Sequence, residues 1–143
     1  MLFSEAAGRP VVAMDEARTV GSVADLVVDP HEQRIVALRL RHKVHGADTL
    51  LWSDLTAFGA DAVTIASAAR IAPPPASLDR LTGAGGHLLR KQLLTADGDS
   101  LGTVDNAEFD IQTGELTSLM VGNATVDGER LRGCGKFAVV VAA

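Results

Sequence analysis

The sequence predicts an all-β protein made of two tandem copies of one small unit. Two observations carry that prediction. First, Gly21-Ser22-Val23-Ala24-Asp25-Leu26-Val27-Val28-Asp29 is echoed by Gly102-Thr103-Val104-Asp105-Asn106-Ala107-Glu108-Phe109-Asp110. The echo holds at an offset of 81, pairing Val12 with Leu93, Val20 with Leu101, Ile35 with Leu116, Leu38 with Leu119 and Leu40 with Val121. Second, β-branched residues alternate with polar ones between turn residues through most of the chain, the period of half-buried strands.

The elements follow in order. Pro10–Met14 reads as a short strand closed at Asp15-Glu16, and Thr19–Asp29 as a longer one whose alternation fails near Asp25, where a bulge or bend is expected. Asp29-Pro30-His31-Glu32 is a turn, since Pro fixes φ and Asp bonds the following backbone. Arg34–Val44 is the cleanest strand, with Val36, Leu38, Leu40 and His42 on one face and Ala37, Arg39, Arg41 and Lys43 on the other. Leu50–Trp52 and Ala62–Ile65 complete the first unit, joined through Ser53–Gly59. In the second, Gln92–Thr95 leads through Asp97-Gly98, a hairpin signal, to Leu101–Asp110. A turn at Gln112-Thr113-Gly114, the strand Glu115–Val121 and a closing Val139–Val141 complete it. From Val121 onward this copy is about five residues shorter than the first.

The expected organisation is therefore a first unit over residues 1–70, a Pro/Gly-rich linker over 71–86 outside both cores, and a shorter second unit over 87–143. Within the linker, Pro73-Pro74-Pro75 favours an extended spacer, Ser77 is placed to cap a helical turn through Leu81, and Gly83-Ala84-Gly85-Gly86 releases the chain. Copies of about 70 residues are marginal alone, so they are expected to hide apolar surface against each other, with a homodimer also compatible.

The (Val/Leu)-Gly-x-Val, apolar-Asp, turn, apolar-x-x-Leu-x-(Leu/Val) pattern resembles the PRC-barrel family. It is carried by Val20-Gly21-Ser22-Val23, Val28-Asp29 and Ile35–Leu40, and by Leu101-Gly102-Thr103-Val104, Phe109-Asp110 and Leu116–Val121. Leu51-Trp52-Ser53-Asp54-Leu55 and Phe58–Ile65 are similar to the family's closing strands. No Trp-Ser-Asp-Leu equivalent precedes Phe137, so the second copy's last strands are free to close differently. The family includes the cytoplasmic domain of the photosynthetic reaction centre H subunit and a domain of ribosome maturation factors. The resemblance implies two small barrels related by an approximate two-fold axis, acting as an adaptor for protein or ribosomal partners, with no shared catalytic residues.

Composition narrows the function. The net charge of −5 divides into −2 before Ala76 and −3 from it onward, which disfavours RNA or DNA as a general partner. One cysteine, Cys134, permits no intrachain disulfide, and neither a basic-then-apolar leader nor a run of about 18–20 apolar residues occurs. A cytoplasmic location is the expectation.

Several groups of residues invite chemical readings. Asp97–Glu108 places acids at the first, third and ninth positions of a calcium loop, Gly at the sixth and Glu at the twelfth, but Leu101 at the fifth offers no oxygen; a hairpin turn running into a strand explains the same residues. His42 and His45, three apart on a strand, face opposite sides, and no zinc-ligand spacing accompanies them or His31. Cys134 lies between two glycines with no local base to activate it, and Gly135-Lys136 lacks phosphate-loop spacing. No cofactor or metal is expected, and no enzyme constellation emerges. The candidate partner surface is the basic stripe Arg39, Arg41, Lys43 and His45, together with Trp52, the only indole. A solvated strand face explains the stripe, and an anionic partner surface is the functional reading; the partner expected is an unidentified protein, with RNA or a ribosomal protein as the alternative.

Overall fold

The computed structural model of the chain describes residues 1–78, 81 and 87–143. It is β-rich, with curled sheets. A single-turn helix α1 (Phe3–Ala6) precedes β1 (Pro10–Ala13), β2 (Arg18–Asp29), β3 (Arg34–Val44), β4 (Ala47–Leu51), β5 (Leu55–Phe58) and β6 (Val63–Ile65). The second half contains β7 (Gln92–Thr95), β8 (Ser100–Thr103), β9 (Asn106–Phe109), β10 (Leu116–Val121), β11 (Ala124–Asp127), β12 (Leu131–Cys134) and β13 (Ala138–Val141).

The first half forms one sheet in the order β4-β3-β2-β1-β6-β5, with β1 and β6 parallel. The second half has the order β11-β10-β9 in one sheet and β12-β13-β7-β8 in another, with β7 and β13 parallel. Strand for strand the order is the same, with β2 replaced by the pair β8 and β9, which Val104 and Asp105 separate. The last strands of the second half therefore pair as the first half's do, contrary to the freedom the missing Trp-Ser-Asp-Leu implied. Gly128-Glu129-Arg130 forms a single 3₁₀ turn where Trp52-Ser53-Asp54 forms one in the first half. Strands β5, β11 and β12, absent from the sequence reading, are four residues long, too short for an alternating pattern to declare itself.

Register refines the repeat. Val11 pairs with Val63 and Leu93 with Val139, so Val11, and not Val12, is the structural counterpart of Leu93. Both are fully buried. Both halves carry the same bulge in their first hairpin, at Val20 and Leu101; the one-residue slip lies in the turn, where residues 14–17 separate Ala13 from Arg18 but only 96–98 separate Thr95 from Asp99. The expected irregularity near Asp25 is present: Val23 pairs with Leu40 and Asp25 with Arg39, leaving Ala24 over. A further bulge at Val36 between Ile35 and Ala37 breaks the predicted alternation of β3. Ile35, Leu38 and Leu40 enter the main core, while Val36 and Ala37 share the opposite face.

The repeated glycine has a local cause. A Cβ on Gly21 would stand 3.3 Å from Leu40 Cδ1, and one on Gly102 would stand 2.9 Å from Val121 Cγ1. Leu40 and Val121 are counterparts, so each half lays its first hairpin across the same apolar side chain. Gly102 also has φ +117, a conformation that L side chains avoid.

The buried residues form one main cluster drawn from both halves, from Val11, Leu38 and Ile65 to Leu93, Leu119 and Val141. The linker does not lie wholly outside it: Ile71 is buried in that cluster, and Leu81 covers Val27 and Ala37 on the outer face of β2 and β3. A 3₁₀ turn spans Ala76–Leu78; Gly83–Gly86 lie outside the described residues. Leu38 and Leu119 are both fully buried. Truncating either to Ala is expected to cost about 2–5 kcal/mol in urea melts, and a change below about 0.5 kcal/mol, the range of exposed sites, would contradict a core role. Gly102→Ala is expected to cost about 1–3 kcal/mol through backbone strain alone, more than Gly21→Ala, where only Leu40 must yield; equal losses in paired melts would refute the conformational cause.

Candidate functional site

The two halves meet along a seam built from matching backbone groups. In each half an Asp side chain accepts an N–H two residues on, Asp29 from His31 and Asp110 from Gln112. Its carbonyl then receives the N–H of Gln33 or Gly114. The donating residues Gln33 and Gly114 both have positive φ, 57° and 80°. Their carbonyls accept across the seam: Ile35 N–H donates to Gly114 at 2.8 Å and Leu116 N–H to Gln33 at 2.9 Å. Arg34 bridges Glu115 between them. Gln33 and Gly114, Arg34 and Glu115, and Ile35 and Leu116 are counterparts at the offset of 81, so each contact is reciprocated. At the bulges the exchange repeats: Asp25 Oδ2 meets His87 Nδ1 at 2.7 Å, and Asn106 Nδ2 donates to Ser4 Oγ at 2.8 Å. The segment leading into each half thus ties to the other half's sheet.

Trp52 sits on this seam. It stacks on Phe58 at 5.9 Å and meets the edge of Phe109, from the second half, at 6.2 Å. A Cβ on Gly114 would approach its indole to 3.0 Å, so Trp52 and Gly114 fit as large against small. At the equivalent turn of the second half stands Gly128, and the counterpart of Gly114 is Gln33, whose Nε2 donates to Leu131 O at 3.0 Å. Trp52 remains half-buried, with its indole N–H bonded to no described residue. Open depressions flank it: one of about 350 Å³ reaching Arg34, Val36, Pro75 and Leu78, and one of about 300 Å³ reaching Leu55, Phe58 and Ile111. The sequence analysis set Trp52 on the candidate partner surface; the structure makes the ring part of the internal joint.

The basic stripe divides into two environments. Residues 41–47 stand where the second half has only Gly122-Asn123 between the paired ends of its hairpin, so Arg41, Lys43 and His45 occupy an extension that the first half alone carries. Val44 and Ala47 close it over His45 and Gly46, with φ 54° and 79°, the signature of a type I′ hairpin turn. Arg41, His42, Lys43 and His45 are exposed, and Arg41 and Lys43 form no ion pair among the described residues. Arg39 differs. It is half-buried and its Nη2 lies 3.4 Å from Asp48 Oδ2, so this member of the stripe is paired with a carboxylate. Trp52 borders other depressions than the one lined by Arg39 and Lys43.

The remaining candidates resolve plainly. Asp97 and Asp99 lie in the turn between β7 and β8, where Gly98 has φ +89, and Glu108 is a β9 residue bridged to Leu2. Asp105 accepts the Gly122 N–H at 2.6 Å. Among the described residues no three His, Cys, Asp or Glu side chains converge on one point. Cys134 ends β12 instead of lying on an exposed turn, and is half-buried. Its Sγ faces the His87 carbonyl at 3.5 Å and Lys91 Nζ at 4.0 Å. Burial pushes the thiol above its ordinary value, and Lys91 pulls it partly back. Neither a scan against protein-family models nor a search of curated proteins finds a match to this chain.

Since the raised value keeps Cys134 as a neutral thiol near pH 8, alkylation of the native protein is expected to be slower than that of the urea-unfolded chain, with its rise displaced to higher pH. Faster alkylation of the native form would show an activated thiolate.

Proposed function

We propose that the chain is a non-enzymatic protein-interaction module of the PRC-barrel type. In this reading residues 1–70 and 87–143 form two small barrels related by an approximate two-fold axis through the Arg34–Glu115 bridge. The repeated strand order and the reciprocal seam bonds support that symmetry. The first half binds and the second supports it. The observation that carries the assignment is the hairpin extension at residues 41–47: it is the main departure from the repeat in chain length, it is exposed, and it projects Arg41 and Lys43 from a chain of net charge −5. Neither cation neutralises a neighbour within the described residues, and both face solvent. A surface of that kind fits an acidic patch on a partner protein.

Reversing Arg41 and Lys43 to Glu tests this. Both are solvated, so stability is expected to change by less than about 0.5 kcal/mol, while a partner cross-linked to the wild-type protein in its native cells is lost. Recovery of the same partner at unchanged yield across salt concentrations refutes the hairpin as the contact. Recovery of RNA in place of protein moves the reading to the ribosomal alternative.

A further inference from the structure

We propose that the outer edge of β11 is a strand-addition site for an extended segment of a partner protein, one that sets a small residue against Thr125, with an acidic residue two positions before it and proline after it.

The chain supplies its own template. β4 and β11 end their sheets at equivalent places: Arg39 pairs with Thr49 as Met120 pairs with Thr125. In an antiparallel ladder, bonded and non-bonded pairs alternate. Val121 and Ala124 close the two-residue Gly122-Asn123 turn, so Thr125, one residue on, turns its N–H and C=O away from β10. Thr49 does the same, and its outward groups are used. Its N–H donates to Ala72 O at 3.2 Å and its C=O accepts from Ala72 N–H at 2.9 Å. Ile71 anchors that segment in the core, and Pro73-Pro74-Pro75 ends the pairing by withholding further N–H groups. Thr49 is consequently 3% exposed. Thr125, the same residue in the same register, is exposed, and no described residue bonds its outward groups.

The edge is short and ends on the charged Asp127, but neither lysine, proline nor a bulge blunts it: β11 reads Ala124-Thr125-Val126-Asp127 in continuous register with β10. Main-chain bonds to an open edge are the source of affinity in strand-addition complexes, and flanking side chains select the partner. Selection here is by charge. On the covered edge Arg70, two residues before Ala72, lies 3.4 Å from Asp54. At the position equivalent to Asp54 the second half carries Arg130, whose Nε and Nη2 hold the Ala142 carbonyl at 3.1 and 2.6 Å, so that Nη1 is the group left to meet an incoming side chain. The complementary residue of an incoming segment is therefore an acid. This surface is separate from the residue 41–47 hairpin, so loss of either leaves the other standing.

The test appends Ala-Ala-Glu-Ile-Ala-Pro-Pro-Pro after Ala143. From Ile65 to Ala72 the chain takes seven steps, and the fifth appended residue stands the same distance beyond Val141. Tethering raises the effective concentration, so that a weak strand pairing is measurable. In the unextended protein the Thr125 amide is expected to exchange with solvent far faster than that of Thr49. In the extended protein it is expected to slow by about tenfold or more, and by less when the appended Glu is replaced by Arg. The melting temperature is expected to rise, and Thr125→Pro, which removes the outward N–H and no bond to β10, should cancel the rise without lowering the melting temperature of the unextended chain, since an edge strand tolerates proline where its N–H faces solvent. Unchanged Thr125 exchange in both tethered forms overturns the proposal; an Arg tether that protects as well as Glu overturns its charge selection. A concentration-dependent dimer of the unextended protein that Thr125→Pro dissociates also overturns it, because the occupant is then a second copy of this chain.

Discussion

The carbonyl oxygens of Gln33 and Gly114, each turned across the seam to an N–H of the other half, are the constraint from which much of the architecture follows. A carbonyl can point that way only because each residue ends its turn in the left-handed region, and the turn is held by Asp29 or Asp110 bonding the chain two residues on. Once the two strands are clamped at Ile35 and Leu116, the apolar faces behind them merge. Phe109 then meets Phe3, Phe58 and Trp52, all from the first half. Halves of about 70 residues are short of burial on their own. Sharing one core answers that shortage inside a single chain.

Matching backbone contacts do not require matching side chains, and the seam shows where the halves have parted. Trp52 rests on Gly114, whereas their counterparts are Gly128 and Gln33, so the large and the small residue have exchanged places and the Gln33 side chain bonds Leu131. Gly128 has its own reason: a Cβ there would collide with the carbonyl of Leu116, because its turn lies directly on β10. The same logic of close approach governs Gly21 and Gly102, where a whole strand crosses Leu40 or Val121.

Much of this was legible in the sequence, and the failures have physical causes. β3 has the limits its alternation gave, Arg34–Val44, because a long half-buried strand writes its period clearly. The bulge near Asp25 showed as a break in that period; the one at Val36 did not, since valine suits either face. The offset of 81 holds in β2 and β3 but slips by one in β1, because the turn after it is one residue longer than its counterpart and the adjacent Val11 and Val12 read alike in either register. Ile71 and Leu81, set among prolines and glycines, gave no periodic signal that they were buried. Of the candidate site residues, Arg41, Lys43 and His45 were readable as an exposed stripe. The Arg39–Asp48 pair was not, because Asp48 reaches it only through the cross-strand register of a hairpin whose arms are unequal.

The position of Trp52 also makes the molecule its own optical probe. The chain contains one tryptophan and no tyrosine, so its near-ultraviolet signal arises almost wholly from a ring lodged between the halves, over Gly114 and against Phe109. Emission from that ring senses the opening of the joint, while far-ultraviolet circular dichroism senses the strands. Comparing the two separates parting of the halves from loss of the sheets, with no label attached.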